Sequence, residues 1–133
     1  MHKKITGHTL RAFTLTELLV VLAIIGILVL IALPNLMPLI TKARSTEAKQ
    51  NLSYIHTLQK TYYLENSKYS ADLNVIGFEL QDAASAQYAY EIVSAGTGGY
   101  VARATAKTDF DNDGSINVWE IDQQKNLKEV TPD

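Results

Sequence analysis

Asp109-Phe110-Asp111-Asn112-Asp113-Gly114-Ser115-Ile116-Asn117-Val118-Trp119-Glu120 sets oxygen donors at alternating positions. The stretch fits D-x-[DN]-x-[DN]-G-x5-E throughout. Calcium takes about six to eight oxygen ligands, and carboxylates at alternate positions of a tight loop converge on one ion. The side-chain ligands would be Asp109, Asp111, Asp113 and Glu120. The Ser115 carbonyl would add another, and Asn117 would act directly or through water. Gly114 permits the sharp turn. Without an ion, three aspartates this close repel one another. The alternative is an Asp/Gly-rich turn that holds no ion.

A second chemical signal is Glu17, an acid at the start of an apolar run. A carboxylate at a membrane centre costs about 2.5–3.5 kcal/mol on insertion scales, less near the interface, and such residues usually have a partner. Catalytic signals are absent. There is no cysteine, hence no thiol nucleophile, Cys-ligated metal or disulfide framework. The histidines are His2, His8 and His56, and no nucleophile–base set accompanies them. His56 reads as a surface or interface residue, and the seven tyrosines as core or interface aromatics.

The elements that position these residues divide the chain unevenly. Of 133 residues, 47% are hydrophobic, with 12 Lys+Arg against 14 Asp+Glu. That balance gives no support for nucleic-acid binding. Leu18–Thr41 carries no charge over 24 residues. As a helix it would span roughly 36 Å, enough for a bilayer core of about 30 Å. Positions 1–12 carry Lys3, Lys4 and Arg11 and no acid. A cleaved secretory signal would have a shorter apolar core and a small-residue cleavage site. A plain anchor would not explain Glu17. Gly26, Pro34 and Pro38 interrupt the helical ideal, and a kink or local melting is expected around 30–38.

Beyond the membrane-grade segment, Leu36, Ile40, Ala43, Ala48, Leu52, Ile55, Leu58 and Tyr62 approximate one helical stripe, predicting an amphipathic helix to about residue 65. Residues 66–87 read as a loop with a short helical turn near 81–86. Strand-like segments follow at 88–95, 100–107 and 116–122, with a weaker one at 127–130. Gly96-Thr97-Gly98-Gly99 signals a hairpin. The predicted fold is α+β, a long N-terminal helix packed on an antiparallel sheet of three or four strands. An EF-hand sets its loop between helices. Here a strand precedes the acidic loop, so a β-connection is expected to carry the ion.

Ala12-Phe13-Thr14-Leu15-Thr16-Glu17-Leu18-Leu19-Val20 resembles the prepilin cleavage motif of type IV pilins and type II secretion pseudopilins. Thr61-Tyr62-Tyr63-Leu64 and Ser67-Lys68-Tyr69 resemble the end of the pilin helix and its exit. The resemblance implies the type IV pilin-like fold and a leader, 1–12, cut between Ala12 and Phe13 by a prepilin peptidase. Phe13 would then be N-methylated. Leaders of this family usually end in Gly, and this one ends in Ala12.

The implied divisions are 13–40 as transmembrane and fibre-core helix, 41–65 as stem, and 66–133 as β head with its acidic loop at 109–120. The implied partners are other copies of the chain, an inner-membrane assembly platform and, before assembly, the lipid bilayer. Glu17 would neutralise the N-terminal amine of a neighbouring subunit. The expected location is the inner membrane, then a periplasmic or cell-surface filament. The readings in play are a pilus subunit, a major pseudopilin whose fibre acts as a periplasmic piston, and a membrane-anchored calcium-binding protein that does not polymerise. Some members of the family bind calcium near this loop. In a chain without disulfides, calcium would staple the head by binding only its folded state.

Overall fold

The computed structural model describes residues 11–133, so residues 1–10, most of the expected leader 1–12 and including His2, His8, Lys3 and Lys4, lie outside the described residues. One helix, α1 (Leu15–Asn66), is followed by β1 (Tyr88–Ala95), β2 (Tyr100–Ala106), β3 (Val118–Asp122) and β4 (Leu127–Thr131). The chain separates into two compact units, residues 1–36 and 37–133.

In the first unit, every described residue is exposed. Leu22, Leu28, Leu30 and Ile31 are among the large apolar side chains without cover. This segment gives α1 a window of mean hydropathy 2.9, long and apolar enough to cross a membrane. The helical backbone continues through Gly26, Pro34 and Pro38. Local melting is therefore not the conformation described.

In the second unit, α1 packs on a four-stranded antiparallel sheet in the order β1-β2-β3-β4. The buried positions of α1 are Thr41, Ser45, Ala48, Leu52, Ile55 and Gln59. They recur at alternating steps of four and three, one face of a helix. The apolar stripe agrees at Ala48, Leu52 and Ile55. It differs at Leu36, Ile40 and Ala43, which are exposed, and at Thr41, Ser45 and Gln59, which take buried places. β2 supplies the opposite wall: Tyr100, Ala102, Ala104 and Ala106 are buried, and the residues between them face outward. Leu52 and Ile55 of α1 share one buried cluster with these alanines. Tyr88, Ile121, Phe78 and Phe110 complete the core.

Gln59 closes the joint between helix and loop. Its Nε2 donates to the Ser70 carbonyl (2.7 Å), and its Oε1 accepts the Ser70 N–H (3.0 Å). The side-chain amide thus satisfies both backbone groups of Ser70, as a neighbouring strand would. The expected helical turn near 81–86 is a run of turns with one helix-type bond, Ala86 N–H to the Asp82 carbonyl. The third strand starts at Val118 rather than at 116.

Candidate functional site

Two places carry the chemistry singled out from the sequence. The first is the start of α1. Thr14 stands just before the helix, and Glu17 is in its first turn. The Thr14 N–H donates to Glu17 Oε2 (2.7 Å), and the Glu17 N–H donates to Thr14 Oγ1 (3.2 Å). This reciprocal pair is a capping box, which satisfies two backbone donors that a helix start otherwise leaves unpaired. It also holds the carboxylate beside the positive end of the helix dipole.

Glu17 is therefore positioned within its own chain, by a residue that the sequence reading did not single out. The signal was legible, since Thr-x-x-Glu before an apolar run is the capping-box pattern. Ala12 and Phe13 lie immediately before Thr14 and are exposed. A cut between them would place the new amine one residue from this cap.

The second place is the acidic loop. Asp109, Asp111 and Asp113 come together as expected. Their fourth companion is Asp133, and one ligand oxygen from each lies within 4.8 Å of the others. β4 runs antiparallel to β3, so its end returns to the loop that precedes β3. There the Asp133 carboxylate accepts the N–H groups of Phe110 (2.9 Å) and Asp111 (3.2 Å). Asp109 accepts the N–H groups of Asn112 (2.6 Å) and Gly114 (2.8 Å). Asn112 and Gly114 have φ of 61° and 94°, the left-handed backbone that a tight loop needs and that Gly adopts without strain. Asp113 Oδ1 accepts the Ser115 N–H (2.7 Å).

Electrostatics differ within the cluster. Hydrogen bonds, chiefly from the Gly114 N–H, hold the Asp109 carboxyl below its ordinary pKa. Asp111 is raised, first by loss of solvent and then by the neighbouring charges of Asp113 and Asp133. These four carboxylates are the residues that could hold a cation here.

The remaining expected ligands are elsewhere. Glu120 is on β3, where its Oε1 accepts from Arg103 Nη2 (2.7 Å) and Nε (2.9 Å). A strand alternates its side chains between faces. Glu120 therefore points outward while Ile121 enters the core, and it does not close the loop. Asn117 is fully buried. Its Oδ1 accepts from the Tyr88 hydroxyl (2.7 Å), and its Nδ2 donates to Glu129 Oε1 (2.7 Å) and the Thr131 carbonyl (3.2 Å). It fastens the loop to the sheet instead. Ser115 is half-buried, and its N–H is tied to the Asp113 carboxylate.

His56 is neither free nor catalytic in placement. Its Nδ1 lies 2.8 Å from the Tyr100 hydroxyl, joining α1 to β2. Burial pushes its pKa down.

Comparison with known proteins follows the same two places. The family model described as prokaryotic N-terminal methylation motif matches residues 11–33. The model described as type IV pilin-like G and H matches residues 45–127. The chain is 47% identical over 68 residues to the type IV major pilin protein PilA of Myxococcus xanthus, covering 51% of this chain and 31% of that protein. It is 31% identical over 90 residues to the type IV wide pilus major component PilA4 of Thermus thermophilus, covering 68% of this chain and 69% of that protein. It is 34% identical over 64 residues to the type II secretion system core protein G of Pectobacterium carotovorum, covering 48% of this chain and 41% of that protein. The chain thus spans less than half the length of two of these three relatives.

Proposed function

The chain belongs to the type IV pilin-like family, and from that premise we propose that it is a structural filament subunit. The observation that carries the proposal is the contrast along α1. An apolar segment left uncovered among the described residues begins at a capped glutamate and runs into a helix that completes a folded head. Such a segment is soluble only in lipid or against other apolar helices.

In this reading a prepilin peptidase cuts between Ala12 and Phe13 and the new amine is methylated. The loss of 1–12, with Lys3, Lys4 and Arg11, leaves nine basic residues against 14 acidic ones. Residues 13–40 hold the precursor in the inner membrane, with Lys and Arg on the cytoplasmic side. An assembly platform then draws the subunit into a periplasmic or cell-surface fibre. Glu17 neutralises the amine of a neighbour, because opposite charges in a low dielectric cost far less together than apart. Gly26, Pro34 and Pro38 are the places where the helix bends or loosens on leaving lipid. The role is structural rather than enzymatic, as it is for the family.

A second reading, a pseudopilin of a type II secretion system, is favoured by the match to core protein G. Electron microscopy of sheared material, with mass spectrometry of its N-terminus, separates the readings. Surface filaments with a methylated Phe13 are expected for a pilus and periplasmic fibres for a pseudopilus. Monomer in the membrane alone, the outcome for a non-polymerising anchor, rejects both.

We also propose calcium at the acidic loop, held by Asp109, Asp111, Asp113 and Asp133. The convergence of four carboxylates supports this donor set, and their oxygen chemistry is that of a hard cation. The ion would tie the loop before β3 to the end of β4, in a chain without cysteine.

A further inference from the structure

A single row with one charged residue on each strand crosses the solvent face of the sheet, and Asp122 lies on the same face two residues beyond Glu120. Glu91 on β1 is opposite Arg103 on β2, Arg103 is opposite Glu120 on β3, and Glu120 is opposite Lys128 on β4. The signs alternate across all four strands. The middle pair is tight, with Arg103 Nη2 2.7 Å from Glu120 Oε1. The ends are loose: Glu91 is 3.7 Å from Arg103, and Lys128 is 4.0 Å from Glu120. Their side chains are 60% and 69% exposed, against 13% for Glu120. Each end also has an exposed valine two residues further on. Val93 is 46% exposed and Val130 47%, and each sits where its strand's register shifts.

β1 and β4 are the two edges of the sheet. The row therefore ends negative at one edge and positive at the other. A two-fold contact would set β1 against β1 or β4 against β4, bringing like charges together. A head-to-tail contact sets Glu91 of one copy against Lys128 of the next, the kind of contact that an open, repeating fibre can use. The bulges at Val93 and Val130 break the edge ladders and oppose continuous strand addition. Side chains must then make the contact.

We propose that the β1 edge of one copy docks laterally on the β4 edge of a second copy of this chain, with Glu91 facing Lys128 and the two valines covered beside them. The inference rests on the fibre reading above and names the contact between heads.

The chain has no cysteine, which makes the test clean. In one copy, Glu91 and Lys128 are three strand spacings apart, roughly 14 Å. A disulfide needs Cα atoms within about 7 Å. A bond between Glu91→Cys and Lys128→Cys must therefore join two copies. The full chain carrying both substitutions is expressed in a pilus-assembling bacterium deleted for its own major subunit. Sheared fibres are oxidised and run on a non-reducing gel.

A ladder of oligomers from the double variant, with monomer from each single variant, is the expected result. Fibres that yield only monomer from the double variant overturn the edge contact and leave the fibre reading standing. A dimer from either single variant overturns the head-to-tail arrangement. Wild-type chain that forms no fibre overturns the fibre reading and this inference with it.

If the cysteine pair blocks assembly while wild type assembles, charge exchange decides. Glu91→Lys and Lys128→Glu should each lower fibre yield roughly fivefold at matched expression, and the two together should restore it. Each substitution sets a like charge beside its own neighbour in the row, so the head's unfolding midpoint is measured for each variant, and midpoint losses that simply add in the double variant exclude coupling through Arg103 and Glu120 within one copy. Rescue can then arise only between copies, and failure of rescue overturns the proposal.

Discussion

The two parts of α1 share one backbone and differ in where their partners are. From Leu15 to Leu36 every side chain is exposed, and the bonds at the helix start are local ones between Thr14 and Glu17. From Thr41 to Gln59 six residues are buried, and Asn51, His56 and Gln59 reach across to Tyr90, Tyr100 and Ser70. One part is uncovered among the described residues and, in the proposed filament, would find its partners outside the chain; the other has them inside. The same secondary structure is thus stabilised in two ways, and substitutions should separate them: in the first part they should change assembly without changing the head's stability, and in the second part the reverse.

The largest effect is expected at Glu17. Glu17→Leu should leave a processed, membrane-resident protein whose head unfolds at the wild-type midpoint, while sheared fibre is nearly lost. Glu17→Gln keeps the cap's hydrogen-bonding shape and removes the charge. If the charge is what a neighbour reads, this variant should fail as well. Normal fibre yield from either variant would break the comparison at its first half.

Next comes the helix–sheet core. Leu52 is completely buried against the alanine face of β2. Leu52→Ala should lower stability by about 2–5 kcal/mol through lost burial and the cavity left behind. Chemical denaturation in detergent would measure it. A change under ~1 kcal/mol would mean that the second part of α1 is not what completes the head. At Gln59, substitution by Leu keeps the volume and removes both bonds to Ser70. The stranded N–H and carbonyl should cost about 1–3 kcal/mol. Protease cleavage should rise near residue 70, because the loop loses its tether.

These sites also mark how far the sequence could be read. β1 matched residue for residue, and β2 and β4 to within one, because their alternation is bounded by Gly96–Gly99 and by turn residues. The apolar stripe found Ala48, Leu52 and Ile55 because the hydrophobic effect writes itself as periodicity. Gln59 was illegible: a glutamine on a helix reads as a solvated residue, and only the position of Ser70 makes its amide a core group. Glu120 misled for a related reason. A spacing motif counts residues but does not say which way they point, and a strand beginning at Val118 turns position twelve of the loop to the outer face. Asp133 belongs to no motif and enters through the β3–β4 pairing. Thr14 was legible and passed over.

A smaller effect should sharpen the acidic loop. If calcium binds the folded head, about 1.4 kcal/mol of stability should appear at an ion concentration ten times Kd. Chelator should remove it. Asp133→Asn should weaken the calcium response, whereas Glu120→Gln should leave it and reduce only the Arg103 pairing. No shift of the unfolding midpoint between millimolar calcium and chelator would reject the ion, and equal responses of the two variants would reject the donor set.

The smallest effect concerns His56, where the helix meets the sheet. Burial lowers its pKa below 6.5 in the folded chain, the nearby cations Lys125 and Lys60 act in the same direction, and the Asp122 backbone and side chain oppose them. The ring's Nδ1 lies 2.8 Å from the Tyr100 hydroxyl, and its burial there favours the uncharged form in the folded state. The unfolded chain takes up this proton first as pH falls. It then binds more protons than the native state, and stability declines with decreasing pH. This contribution is present above about pH 6.5 and is lost as pH falls through the lowered folded value, below which the loss levels off. His56→Gln removes the titration. The stability difference between wild type and this variant should therefore shrink as the buffer goes from about pH 7.5 to about pH 5. The carboxylates common to both cancel in that difference. Parallel pH profiles would show that the ring is solvated in the folded chain, and would loosen the tie between the second part of α1 and the sheet.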